Sequence, residues 1–155
     1  ALPISRGRRG DRPDHARPQR HGGQECRRNH QGAPGLAHGG LLSLAFDEAL
    51  GKLMWLLRAP AVTARLETDF LAPVPIGTTL YISARIVGQQ GRKVYSEAEG
   101  RIGGADGPVA VRAASLFVIV PMKHFLENAP AEYITAIKAN PELLSFVDPE
   151  FNINP

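Results

Sequence analysis

The stretch from Leu41 to Leu57 constrains the fold more than any other part of the chain, because its apolar residues fall on nearly every face of a helix. A helix of this kind has to be enclosed by other elements rather than lie on a surface. Pro60 provides its end. With 155 residues the chain is long enough to bury such a helix in the core of one domain.

The sequence that follows the helix predicts about four consecutive antiparallel strands. The first alternates between two sets of side chains, Val62, Ala64 and Leu66 against Thr63, Arg65 and Glu67. Three more alternating segments, 79–88, 92–102 and 108–120, are separated by glycine-containing turns at 88–91 and 103–108. The predicted core is therefore one long helix followed by an antiparallel sheet.

The N-terminal segment differs from this core in charge and composition. Residues 1–34 hold eight Arg and three acids, 8 − 3 = +5, whereas residues 35–155 hold ten Lys or Arg and twelve acids, 10 − 12 = −2. Because residues 1–34 contain no Val, Phe, Met, Trp or Tyr, we expect them to be disordered or loosely packed. They are either a solvated tail or an electrostatic arm for nucleic acid, although no aromatic residues lie between the arginines to stack on bases.

The other end of the chain predicts a helix. Asn128 as N-cap and Pro130 in the first turn favour a helix that runs through residues 131–139 and stops at Asn140.

Cys26 is the single cysteine, which excludes an intrachain disulfide and indicates a reducing compartment. The sequence has no apolar run of about 18 residues and no apolar secretory segment near its start, so we expect a cytoplasmic protein.

Asp47 interrupts the apolar helix, where a carboxylate costs free energy unless its desolvation is compensated. Glu48 and Lys52 are spaced as a solvent-facing i,i+4 ion pair. Asp47 lies about 100° round the helix from Glu48 and in line with Ser43 and Gly51. This spacing is compatible with a solvated carboxylate, with a hydrogen-bonded core Asp and with a functional group.

Gly39 and Gly40 stand at the start of the same helix, after His38. Glycines there leave backbone N–H groups accessible at the positive end of the helix dipole, where a developing oxyanion can bind. Together with Asp47 they form a candidate hydrolytic pair.

The segment GLAHGGLLSLAFDEAL, residues 35–50, resembles the active-site segment of hotdog-fold acyl-CoA thioesterases of the 4-hydroxybenzoyl-CoA and phenylacetate-degradation group. That family's H-G-G-x6-D spacing is matched by His38, Gly39, Gly40 and Asp47. The resemblance continues through residues 62–87, 91–100 and 115–121. It implies an α+β hotdog fold, in which a long antiparallel sheet wraps one central helix.

The resemblance also implies domain limits. The hotdog domain covers residues 31–121, with a C-terminal helical extension over 122–155. Residues 1–30 are a basic segment, disordered or aberrant, because residues 10–30 show no alternating apolar first strand such as the relatives have.

The same resemblance implies roles for the site residues. The N–H of Gly39, with that of Gly40, polarises the thioester carbonyl, and Asp47 either activates water or attacks directly. Thr63 positions water or Asp47, and His38 fixes the turn or is structural. Gly32 stands where some relatives carry Asn, which would remove a secondary catalytic contact.

Coenzyme A needs cations for its phosphates. Arg92 and Lys93, which open a strand, are the best candidates, followed by Arg65 and Arg85. The alternative is charge that protects edge strands from aggregation. Five His and one Cys show no metal-ligand spacing, so we expect no metal and no cofactor other than the coenzyme A of the substrate.

We therefore expect an enzyme, a thioesterase that hydrolyses an acyl-CoA to a carboxylic acid and free thiol. The alternatives are a hotdog protein that binds acyl-CoA without hydrolysis and, in another class, a nucleic-acid binder that uses the arginine-rich arm. Gly39 and Asp47 are about 12 Å apart along one helix, too far to act on the same carbonyl carbon. Two antiparallel helices across a two-fold axis can combine them, so we expect a homodimer or a dimer of dimers (a homotetramer) with shared sites.

Overall fold

The computed structural model describes residues 19–139, which form an antiparallel five-stranded sheet packed against a long helix. In chain order the elements are β1 (Gln19–Glu25), a 3-10 turn (Arg28–His30), α1 (Gly39–Leu56), β2 (Ala61–Phe70), β3 (Thr79–Gln90), β4 (Lys93–Ile102), β5 (Val109–Ile119), α2 (Met122–Asn128) and α3 (Ala131–Ala139). The strands are ordered β1-β3-β4-β5-β2, so β1 and β2 are the two edges. The α+β fold expected from the sequence, a central helix against an antiparallel sheet, is confirmed.

One face of α1 anchors it to the sheet. Leu42, Phe46, Leu50 and Leu53 follow the helical repeat and are buried, and α1 contacts all five strands. Gly100 on β4 permits the close approach, since a Cβ at that position would lie 2.8 Å from the Phe46 Cζ. Burial of large apolar side chains on this face fixes the position of α1, and with it the positions of Gly39 and Asp47.

The first strand corrects the expectation for residues 1–30. Residues 19–25 form β1, which pairs antiparallel with β3 from Gln19 opposite Arg85 to Glu25 opposite Thr79. No apolar alternation predicted this strand, because its side chains from residue 21 to residue 25 are exposed and its backbone supplies the pairing. Cys26 follows as a core residue, and burial raises the pKa of its thiol. The rest of the basic segment, residues 1–18, lies outside the described residues.

Residues 120–139 contain one helix more than the sequence predicted. α3 spans residues 131–139 as expected. The assignment of Asn128 as its N-cap is wrong, because Asn128 is the last residue of α2 and Ala129 is the C-cap of that helix. The expected stop at Asn140 lies outside the described residues. No helix within residues 19–139 has both the length and the apolar character needed to cross a bilayer.

Candidate active site

His38 is the N-cap of α1. Its backbone is extended, with φ −70° and ψ 127°, and its Nδ1 accepts a hydrogen bond from the Gly40 N–H at 2.9 Å. The His38 N–H donates to the His30 carbonyl at 2.6 Å, which ties the cap to the preceding turn. His38 therefore fixes the start of the helix, and with it the direction of the first N–H groups.

Gly32 permits this turn. A Cβ at residue 32 would lie 2.8 Å from the His38 Cα and 3.0 Å from its Cβ, closer than such atoms approach in proteins. A side chain at this position, such as the Asn of some relatives, would need the turn to shift. Glycine at position 32, in place of Asn, therefore allows the backbone to pass close to His38.

The two helix-terminal glycines differ in availability. The Gly40 N–H is already engaged by His38. For the Gly39 N–H, no acceptor is found among residues 19–139, as is normal for the first residue of a helix. Of the two donors expected from the sequence, Gly39 is therefore the one free to bind an oxygen at the positive end of α1.

Asp47 has a partner on the neighbouring edge strand. The carboxylate is half-buried on α1, and the Thr63 hydroxyl donates to its Oδ1 at 3.0 Å. The adjacent Glu48 forms the expected ion pair with Lys52, at 3.4 Å on the solvent side of the helix. Within the described residues, Thr63 is the one side chain that donates to Asp47. The structure thus brings together two of the residues predicted for the site.

A β-bulge explains how Thr63 reaches Asp47. Thr63 lies opposite Phe117, but Arg65 lies opposite Leu116, so Ala64 is an extra residue in β2. Phe117 is buried beneath the helix, and directly opposite residues share a face of the sheet. The alternation expected from the sequence, with Thr63 on the face of Arg65 and Glu67, is therefore wrong. The bulge turns Thr63 to the helix side.

Phe70, at the far end of the same strand, contacts the other half of the site. It lies opposite the buried Val111, hence also on the helix side of β2. A Cβ at Gly39 would lie 3.2 Å from the Phe70 Cζ and 3.6 Å from both Cε atoms. One edge strand therefore contacts Asp47 near its start and lies beside Gly39 at its end. The separation between Thr63 and Phe70 is about 20 Å.

The four candidate cations fall into two groups. Arg65 pairs with Glu67 at 3.5 Å, and Arg85 pairs with Glu97 at 3.1 Å. Arg92 and Lys93 are exposed and form no ion pair within residues 19–139.

The sheet register places these two unpaired cations at the Asp47 end of the site. Lys93 lies opposite Val118, which in turn lies opposite Val62, the residue before Thr63. Two strand spacings, about 10 Å, therefore separate the backbone of Lys93 from that of Val62. Within the described residues, no group of three or more His, Cys, Asp or Glu could hold a metal ion.

Comparison with known proteins relates part of the chain to one family. Residues 34–107 match the thioesterase superfamily model. A solved thioesterase superfamily protein is 31% identical, with a TM-score of 0.60 over 64% of this chain and 48% of that one. The chain is therefore similar to thioesterase superfamily proteins over residues 34–107 and has the hotdog fold.

Individual relatives are similar over part of their length. Acyl-coenzyme A thioesterase THEM4 of Xenopus laevis is 30% identical over 88 residues, which is 57% of this chain and 39% of that protein. An acyl-CoA hydrolase of Staphylococcus aureus, solved with butyryl coenzyme A, shares the fold at 20% identity, with a TM-score of 0.63 over 68% of this chain and 65% of that one. The chain thus spans about two-fifths of the length of the Xenopus relative.

Phe70 is the site residue that sequence analysis missed. It was counted as part of a strand, and its approach to Gly39 depends on the register of β2 against β5. The available signal was its spacing, since Thr68 and Phe70 continue one face of the strand at the two-residue period.

Proposed function

We propose that this protein hydrolyses acyl-CoA thioesters, with Gly39 and Asp47 as the two halves of its active site. The observation that carries the proposal is the Asp47 carboxylate, placed in an apolar helix and held by the Thr63 hydroxyl at 3.0 Å. The carboxylate is half-buried on α1, and Thr63 holds it in a fixed position beside the edge strand. The names of the Xenopus and Staphylococcus relatives support the substrate class.

The proposed reaction uses groups of the chain and water. The Gly39 N–H donates to the thioester carbonyl oxygen and stabilises the negative charge that develops there. Asp47 then acts in one of two ways. As a base, it takes a proton from a water molecule whose oxygen attacks the carbonyl carbon. As a nucleophile, it attacks that carbon itself, and water hydrolyses the resulting anhydride. In both routes the C–S bond breaks, the sulfur gains a proton, and a carboxylic acid and a free thiol leave.

The proposed site is shared between two copies of the chain. In one chain the contacts to Asp47 and Gly39 lie at opposite ends of β2, about 20 Å apart. The outer side of β2 is an open edge within the described residues. Antiparallel pairing of two β2 edges, centred near Leu66, places Thr63 of one copy beside Phe70 of the other. That arrangement brings one chain's Asp47 to the other's Gly39.

The surface of α1 supports such pairing. Leu44 and Trp55 are 62% and 66% exposed on the side of the helix away from the sheet. Large apolar side chains exposed along one helix face favour burial against a second copy. A homodimer is the smallest assembly that completes the site, and a dimer of dimers retains the same pairing.

Arg92 and Lys93 are the proposed contacts for the coenzyme A phosphates. Among residues 19–139 they are the two of the four candidates that form no ion pair, and by the strand register they lie at the Asp47 end of the sheet. Arg65 and Arg85 already neutralise acids, which makes them weaker candidates.

The test is thiol release from a panel of acyl-CoA substrates by the wild-type chain and two variants. Asp47→Asn removes the base or nucleophile and should lower kcat about 10²–10⁴-fold with an unchanged melting temperature. Glu48→Gln is the matched control, because Glu48 is the next residue on α1 but faces solvent. Near-normal turnover by Asp47→Asn rejects the role of Asp47. Acyl-CoA binding without thiol release from the wild type favours the non-catalytic alternative.

A further inference from the structure

Phe70 is a half-exposed aromatic residue on the helix side of the sheet. Val111, which lies opposite it on β5, is fully buried, but Phe70 itself is 52% exposed. The ring approaches Gly39 with its tip, because the Cζ is the nearest atom to a Cβ position there and the two Cε atoms are equally distant. Most of the ring surface is therefore not used to cover the glycine.

The position of the ring relates directly to the Gly39 N–H. The nitrogen and the would-be Cβ are both bonded to the same Cα, so the nitrogen lies within about 6 Å of the Phe70 Cζ. An oxygen that accepts a hydrogen bond from that N–H lies about 2.9 Å from the nitrogen. That oxygen therefore lies within about 9 Å of the Phe70 Cζ, which makes the ring a neighbour of an acyl group bound there.

We propose that Phe70 is a specificity-determining residue, whose ring limits the bulk of the acyl group next to the thioester carbonyl. The inference rests on the proposed function and adds to it a substrate class, acyl groups unbranched at the carbon beside the carbonyl. A linear chain can pass beside the ring tip. Branches or an aromatic ring at that carbon occupy the volume that Phe70 fills.

A purely structural role for Phe70 predicts a different result. If the ring only stabilised the start of α1, its removal would affect all substrates alike. Leu71 provides the matched control. It is 53% exposed and adjacent in sequence, but the three atoms nearest the Gly39 Cβ position all belong to Phe70. Comparison of the Leu71 and Phe70 variants thus separates the loss of exposed apolar surface from the loss of the ring beside Gly39.

The experiment measures kcat/KM for butyryl-CoA, isobutyryl-CoA and benzoyl-CoA with the full chain and its Phe70→Ala, Phe70→Leu and Leu71→Ala variants. Phe70→Ala should raise the ratio of branched or aromatic to linear substrate by about tenfold or more, because pockets discriminate by about that factor for a group of methyl size. Phe70→Leu should give a smaller change in the same direction and serves if the alanine variant does not fold. Leu71→Ala should leave the ratio unchanged.

Two outcomes overturn the inference while the proposed function stands. In the first, the wild type hydrolyses the panel and both Phe70 variants keep the wild-type ratio. In the second, the variants lose activity equally for every substrate. If the wild type releases no thiol from any acyl-CoA, the proposed function itself fails, and the inference fails with it.

Discussion

Replacement of Gly39 by proline removes the proposed oxyanion donor with little change elsewhere. Gly39 is the first residue of α1, so its N–H lies outside the helical hydrogen-bond ladder, and proline is favoured at that position. His38 before it has φ −70° and ψ 127°, a conformation that a following proline allows. The substitution therefore replaces the amide hydrogen by the Cδ of the proline ring and should leave the free energy of unfolding within about 1 kcal/mol of wild type.

The expected loss of activity follows from the number of donors. The Gly40 N–H is engaged by His38, so Gly39 is the available backbone donor at the helix start. Loss of one oxyanion donor lowers kcat about 10²–10³-fold, which corresponds to about 3–4 kcal/mol. The assay is thiol release from saturating acyl-CoA, with thermal unfolding of each variant measured in parallel.

Gly39→Ala is the control for the added Cβ. Alanine and proline both place a Cβ at 3.2 Å from the Phe70 ring, a contact relieved when the half-exposed ring moves by a few tenths of an ångström. Alanine keeps the N–H. Gly39→Ala should therefore retain most of the activity that Gly39→Pro loses. Equal activities in two folded variants would refute the assignment of the Gly39 N–H as the oxyanion donor.

Three further perturbations test other parts of the site. Thr63→Val should lower turnover about tenfold or more, because the hydrogen bond to a charged group is worth about 1.5–3 kcal/mol. Thr63→Ser keeps the hydroxyl and should retain turnover. Equal rates for the two variants would contradict the role of the Thr63 hydroxyl in positioning Asp47. Joint replacement of Arg92 and Lys93 by Gln should raise KM for acyl-CoA about tenfold. Arg85→Gln, which removes a side chain already paired with Glu97, should leave KM unchanged. Measuring KM at increasing salt concentration checks whether the effect is electrostatic. Removal of residues 1–18 should leave the melting temperature unchanged. Removal of β1 as well should lower it, because β1 pairs with β3. Equal melting temperatures for the two truncations would show that β1 does not contribute to stability.

The helix and the four later strands could be predicted because their signals are local. The apolar run of α1, the two-residue alternation and the glycine turns each follow from a period or a conformational preference. α3 could be predicted for the same reason, since Pro130 directly precedes its first residue, Ala131. The H-G-G-x6-D spacing identified His38, Gly39, Gly40 and Asp47 as candidate site residues through its resemblance to thioesterases.

Other features depend on the assembled sheet and left no clear local signal. β1 is held by backbone pairing to β3, so its polar side chains carried no strand period. The bulge at Ala64 reverses the face of Thr63, and nothing in a strictly alternating segment marks where one residue is skipped. The contact between Phe70 and Gly39 joins residues 31 positions apart and follows from the register of β2 against β5.

The most direct test of a site shared between two chains is complementation between inactive variants. Asp47→Asn and Gly39→Pro chains are mixed under conditions of subunit exchange, and thiol release is measured against each parent alone. If the site uses Asp47 of one chain and Gly39 of the other, each mixed dimer contains one site with both wild-type halves, and half of the wild-type activity per mixed dimer should return. If mixed dimers form from folded chains and remain inactive, the two halves act within one chain and the shared-site account is wrong.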